Sequence, residues 1–159
     1  MTRIMFVCHG NICRSPMAEF IFKKMVADKG LSHDFVIRSS ATSDEEIWRG
    51  IGNPVYPPAK EELARHGISC GGKTAVRLCA DDYEKYDLFI GMDSANIRNM
   101  HRILAGDPDR KIRKLMDYTG RGGDVCDPWY SRRFDVAYAD IYAGCAGLFK
   151  TLTGKDVDP

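Results

Sequence analysis

No apolar run in these 159 residues approaches the length of a membrane span, and the N-terminus lacks a signal-peptide pattern. Neither sign of charge is in excess: 23 Lys and Arg face 22 Asp and Glu, a net charge of +1. That balance leaves no bulk electrostatic case for binding nucleic acid or a membrane surface. The six cysteines contain no C-x-x-C pair and no matching His/Cys pair follows them, so no metal-ligand spacing is present and no metal is expected. They are scattered rather than framed as in a short secreted disulfide scaffold, which points to a reducing, cytoplasmic setting. Internal repeats, low-complexity tracts and linkers are absent too. The length suffices for a buried core, so one domain over 1–159 is expected.

What is present is an alternation of strand and helix patterns. Residues 3–8 read as a strand and 16–29 as a helix closed by Gly30, followed by a strand at 35–38. A long loop carrying Trp48 and proline-rich turns leads to a helix from Pro58 to His66, closed by Gly67. Residues 87–92 read as a buried strand, with Asp93 or Ser94 capping a helix through Leu104. A strand at 112–116 and a final helix at 133–152 complete the pattern. Such alternation predicts an α/β fold, a parallel sheet of four strands with helices on both faces. Its ligand site is expected at the carboxyl ends of the strands.

The most informative stretch lies at the first of those ends. Cys8 follows the apolar run Ile4-Met5-Phe6-Val7, and His9-Gly10-Asn11-Ile12-Cys13 leads into Arg14-Ser15-Pro16 and a helix. A loop opening onto a helix N-terminus gathers unpaired N–H groups and is a ready anion site. A cysteine at the strand tip and an arginine six residues on make that site reactive. The thiolate is the nucleophile, and the helix N-terminus, Arg14 and a Ser15 hydroxyl all favour negative sulfur. Gly10 keeps the cradle free of a side chain, and Asn11 tolerates left-handed φ. Arg14 offers a planar fork for two phosphate oxygens. Cys8 ending a core strand as a small hydrophobe is the bland alternative. The strand–loop–helix context argues for attack on a phosphate ester.

Such a nucleophile needs an acid for the leaving oxygen and a base for water. Asp127, in Cys126-Asp127-Pro128-Trp129-Tyr130, lies on a glycine-rich loop after the fourth strand. By spacing alone Asp-Pro is more often a turn starter.

The chain resembles the low-molecular-weight protein tyrosine phosphatases. The resemblance rests on Cys8-x-Gly10-Asn11-x-Cys13-Arg14-Ser15-Pro16 with Met17-Ala18-Glu19, and on Ser39-Ser40-Ala41-Thr42, Gly52-Asn53-Pro54 and Leu63-x-x-His66-Gly67-Ile68. It continues in Met92-Asp93-x-x-Asn96 and Asp127-Pro128-Trp129-Tyr130, so the blocks cover nearly the whole chain in family order. It implies a flavodoxin-like fold of the phosphotyrosine protein phosphatase I type. It also implies a phosphocysteine intermediate on Cys8, phosphate held by Arg14, and Asp127 as general acid and base, with no cofactor. Phosphotyrosine proteins would be the partners and inorganic phosphate or similar oxyanions the site ligands.

By the same resemblance Ile12, Trp48, Trp129 and Tyr130 wall a slot for a flat ring. Ile12 favours phosphotyrosine, since relatives acting on phosphoarginine carry threonine there. Cys13 would form a protective disulfide with Cys8 under peroxide. Many members place a second histidine after His66-Gly67-Ile68, tied to the loop asparagine and serine. Here the stretch reads Cys70-Gly71-Gly72-Lys73, leaving support of the loop to Ser39 with Asn11. Asp44-Glu45-Glu46 reads as a solvated loop that could discourage acidic phosphopeptides. Two alternatives stay open: a thiol-dependent arsenate reductase using Cys70 and Cys79, and a phosphate-dependent binding module.

Overall fold

The computed structural model describes residues 1–158. Its central element is β1, Thr2–Cys8, which pairs in parallel with β2, Phe35–Ala41, in the register Thr2 to Phe35 through Cys8 to Ala41. Between β2 and the next sheet strand the chain forms a small hairpin of β3, Ile47–Trp48, and β4, Ile51–Gly52. Arg49 and Gly50 turn it with φ of 50° and 80°, the double positive-φ turn that tight hairpins favour. β5, Leu88–Gly91, pairs with the other side of β1, and β6, Ile112–Lys114, pairs with β5. All four sheet strands are parallel, in the order β2-β1-β5-β6.

Alternation along β1 decides what lies on each face. Ile4, Phe6 and Cys8 join one core, Met5 and Val7 the other, and none is more than slightly exposed. A strand buried on both faces reads as a continuous apolar run, which is why the pattern was legible. The first core holds α1, Arg14–Asp28, α2, Pro57–Arg65, and α5, Phe134–Thr153. Phe22 sits at its centre with Phe6, Phe35 and Phe149 around it, at centroid distances of 5.6 to 6.2 Å. Burying such a ring contributes about 2–3 kcal/mol. The second core is formed mainly by α3, Ser94–Ile103, and a 3₁₀ segment at Ala80–Lys85. This is the expected α/β sheet covered on both faces.

The differences from the sequence reading have local causes. β2 runs three residues further than expected, through the buried polar residues Ser39 and Ser40 to Ala41. α1 begins at Arg14, with Pro16 inside its first turn, where a missing N–H leaves no helical bond unmade. A one-turn helix, α4, spans Pro128–Ser131, too short to show a helical period. No helix among the described residues is long and apolar enough to cross a membrane.

Candidate active site

β1 sits where the strand order reverses, and the loops following β1 and β5 meet at its carboxyl end. Cys8, the last residue of β1, is buried there. The loop after it turns through Asn11 at φ 59°, as the asparagine predicts, and delivers the first turn of α1 against the sulfur. The Ser15 N–H donates to Cys8 Sγ at 3.4 Å, and Ser15 Oγ lies 3.0 Å from the same atom.

A chain of hydrogen bonds sets which way that hydroxyl points. Buried Glu19 accepts a hydrogen bond from the Ser39 hydroxyl at Oε1, at 2.5 Å. The Ser39 oxygen is then free to accept from Asn11 Nδ2 at 3.0 Å. Asn11 Nδ2 also donates to Ser15 Oγ at 2.7 Å, while Asn11 Oδ1 accepts from the Val76 N–H at 3.1 Å. With its oxygen occupied by Asn11, Ser15 keeps its own proton for Cys8 or for the more distant Ser40 carbonyl at 3.5 Å. Donation therefore runs outward from the Asn11 amide, through Ser39 to Glu19 on one side and through Ser15 to the sulfur on the other.

Asn11 is bonded to both Ser39 and Ser15, and Lys73 reaches the same group. Lys73 Nζ donates to the Ser39 carbonyl at 2.9 Å and lies 3.8 Å from Glu19 Oε1, in the stretch that lacks the second histidine of many family members. Burial pulls the Lys73 amine below its ordinary pKa, and Glu19 opposes that. Lys23 holds the other Glu19 oxygen at 2.5 Å.

Arg14 closes the other side. Its Nη1 donates to Asp93 Oδ2 at 2.8 Å and to the Val125 carbonyl at 2.9 Å, and its Nη2 stands 3.7 Å from Asp127 Oδ2. Burial works against the guanidinium charge, but Cys8, Asp93 and Asp127 outweigh it and raise its pKa further. Asp93 has two tasks: Oδ1 caps α3 through the Asn96 N–H at 2.8 Å, while Oδ2 holds Arg14. Only the cap was visible in the sequence. Val125 N–H donates to the Met92 carbonyl at 2.9 Å, so the loop carrying Asp127 is stapled to the end of β5. Asp127 caps α4, Oδ1 accepting from the Trp129 N–H at 3.0 Å, which leaves Oδ2 turned toward Arg14.

These groups line one cavity of about 180 Å³, with Cys8 and Arg14 on its floor and Ile12, Asp127, Trp129 and Tyr130 on its walls. Tyr56 packs on Trp129 at 4.9 Å between centroids and steadies that wall. Trp48 is placed differently from the expectation. It lies on the hairpin, 74% exposed, outside the residues that line the cavity. Glu45 and Glu46 do line it, together with His9. Cys13 is buried, and its thiol is pushed up to about 12 by that burial and by the facing Cys8.

A strand-tip cysteine, an arginine with its fork over the same pocket, and a carboxylic acid across from them define a cysteine-dependent phosphate-ester site. Comparison with known proteins narrows the class. The family described as low molecular weight phosphotyrosine protein phosphatase matches residues 3–157. The low molecular weight protein-tyrosine-phosphatase YfkJ of Bacillus subtilis is 36% identical, over 96% of both chains. The human low molecular weight phosphotyrosine protein phosphatase is 38% identical, over 96% of this chain and 94% of its own. The crystal structure of YfkJ superposes with a TM-score of 0.91 at 35% identity, covering 97% of this chain and 96% of that one. This chain belongs to the low molecular weight phosphotyrosine protein phosphatase family.

Proposed function

We propose that this enzyme hydrolyses phosphotyrosine in proteins, and small aryl phosphates, in two displacements at Cys8. The thiolate Sγ attacks phosphorus, and the bond from phosphorus to the tyrosyl oxygen breaks as protonated Asp127 gives that oxygen its proton. The Asp127 carboxylate then takes a proton from water, whose oxygen attacks phosphorus. The P–S bond breaks and the thiolate returns. Arg14 and the loop N–H groups hold the equatorial oxygens, so stabilisation is electrostatic and positional. Ser15 eases departure of the sulfur as a thiolate by donating a hydrogen bond to it. Ile12, Trp129 and Tyr130 line the cavity and are assigned here as the walls that receive an aromatic ester, a slot that phosphoserine would be too short to cross.

The observation that carries this reading is the convergence on one cavity of Cys8, Arg14 and Asp127. A binding module needs the first anion contacts but no acid. Arsenate reduction needs a thiol relay to Cys8, and neither Cys70 nor Cys79 lines the cavity that holds it. Turnover of phosphotyrosine, phosphoserine and phosphoarginine peptides, without metal and with reductant, tests the proposal. Phosphate release from the phosphotyrosine peptide alone is expected. Release from none of them removes the phosphatase reading.

Cys13 is the proposed redox partner of Cys8. Its thiol stays protonated near neutrality because its pKa is raised to about 12, so Cys8 is the group that peroxide oxidises first. Condensation of the Cys8 sulfenic acid with the Cys13 thiol, losing water, would store the site as a reducible disulfide. Peroxide-treated parent enzyme should regain activity on thiol addition, and Cys13→Ser should regain much less. Equal recovery of the two would rule the pairing out.

A further inference from the structure

We propose that Glu45 and Glu46 select among phosphotyrosine substrates, favouring positive charge beside the phosphorylated residue and rejecting acidic flanks. This rests on the phosphatase reading above. The sequence suggests a solvated acidic loop, but the segment is strapped to the phosphate loop. Thr42 N–H donates to the Cys8 carbonyl at 3.0 Å, and Ser43 donates to the His9 carbonyl through its N–H at 3.1 Å and its hydroxyl at 2.9 Å. The Ile47 N–H closes the turn on the Asp44 carbonyl at 3.0 Å. Glu46 is fixed in turn by Asn53, whose N–H reaches its carbonyl at 2.8 Å and whose Nδ2 reaches Oε2 at 2.9 Å. Its Cγ would stand 3.3 Å from a Cβ at Gly10, so the side chain lies against the loop itself. Glu46 is thus held against the loop, and Glu45, its side chain 68% exposed, joins it in lining the cavity that holds Cys8 and Arg14.

Their charge is poorly compensated. Among the described residues Glu46 has no cation within ion-pair distance, and Glu45 has only His9 at 3.0 Å, a partner charged only when protonated. Asp44 lies 4.0 Å from Arg77 and is 80% exposed. The arginines around this wall make other contacts, Arg49 of the adjoining hairpin lying over the Trp48 ring. Arg14 is sealed on the floor, Arg132 lies over Tyr56 and Phe134, and Arg133 pairs with Asp135 at 3.0 Å. The floor thus attracts a phosphate dianion while the mouth repels a second anion. A substrate places its phosphate on the floor and its flanking residues across the mouth, where the Glu45–Glu46 wall meets them.

The test compares kcat/KM for two matched phosphotyrosine peptides, one flanked by lysines and one by glutamates, on the parent enzyme. It is repeated on Glu45→Gln/Glu46→Gln and on Glu45→Lys/Glu46→Lys. Taking the ratio within each protein cancels any change in the chemical step or in the folded fraction. The parent is expected to favour the basic peptide about tenfold at low salt, with the ratio falling toward one near ~0.5 M salt. The glutamine variant should show a ratio near one, and the lysine variant should prefer the acidic peptide. An equal or acidic preference in the parent overturns the inference, as does a basic preference that survives in the lysine variant. If neither peptide nor p-nitrophenyl phosphate is hydrolysed, the phosphatase reading fails first and takes the inference with it.

Discussion

Cys8→Ser is expected to lower kcat by at least about 10⁵-fold while leaving phosphate bound with little change. The loss follows from the surroundings of the sulfur. Its neighbours are donors, the Ser15 N–H at 3.4 Å and the Ser15 hydroxyl at 3.0 Å, and no base stands ready to take a proton from an alcohol there. A thiolate needs only donors, whereas a serine hydroxyl would need a base. Binding should persist because the phosphate contacts come from Arg14 and loop amides, which the substitution does not touch. Serine is nearly the size of cysteine, and the same Ser15 donors satisfy a buried hydroxyl, so the stability cost should stay near ~1 kcal/mol. Steady-state turnover beside calorimetric binding of phosphate checks both halves. Retention of more than about 1% of the parent rate would remove Cys8 as the nucleophile.

Asp127→Ala should slow release of phosphate from phosphotyrosine by about 10²- to 10³-fold, the range of a lost general acid. The effect should shrink on p-nitrophenyl phosphate, whose leaving oxygen is far less basic and needs little help from a proton. A structural explanation competes, because Asp127 also caps α4 through the Trp129 N–H. Asp127→Asn separates the two, since an amide oxygen still caps but the side chain has no acidic proton to give. An asparagine variant as slow as the alanine variant supports the acid role. An asparagine variant near the parental rate would make Asp127 a cap for the wall that carries Trp129 and Tyr130.

The catalytic loop was legible because three local signals agree within a dozen residues: a doubly buried strand, a left-handed asparagine and a helix start. Its supports were not, because they are brought together by the sheet rather than by the chain. Glu19 lies on α1 and Lys73 more than fifty positions away, yet both reach Ser39 on β2. Nothing in the type or spacing of a lysine after two glycines announces a buried contact. Ser39 and Ser40 looked like the end of a strand because they are polar, and β2 continues through them because Ser39 finds Glu19 and Asn11 as partners. Trp48 was drawn toward the pocket by the resemblance to the family's aromatic walls. The turn at Arg49 and Gly50 instead holds it on an exposed hairpin, while the acidic residues just before it form the wall.

β1 is flanked by β2 and β5, carries a core on each face, and ends in the reactive cysteine. Amides in such a strand are expected to be among the last to exchange with solvent, which anchors the proposed nucleophile in the most protected unit rather than on a fraying loop. The loop that carries Asp127 lies outside the sheet and can open by itself, so the acid is expected to be lost before the cysteine is displaced.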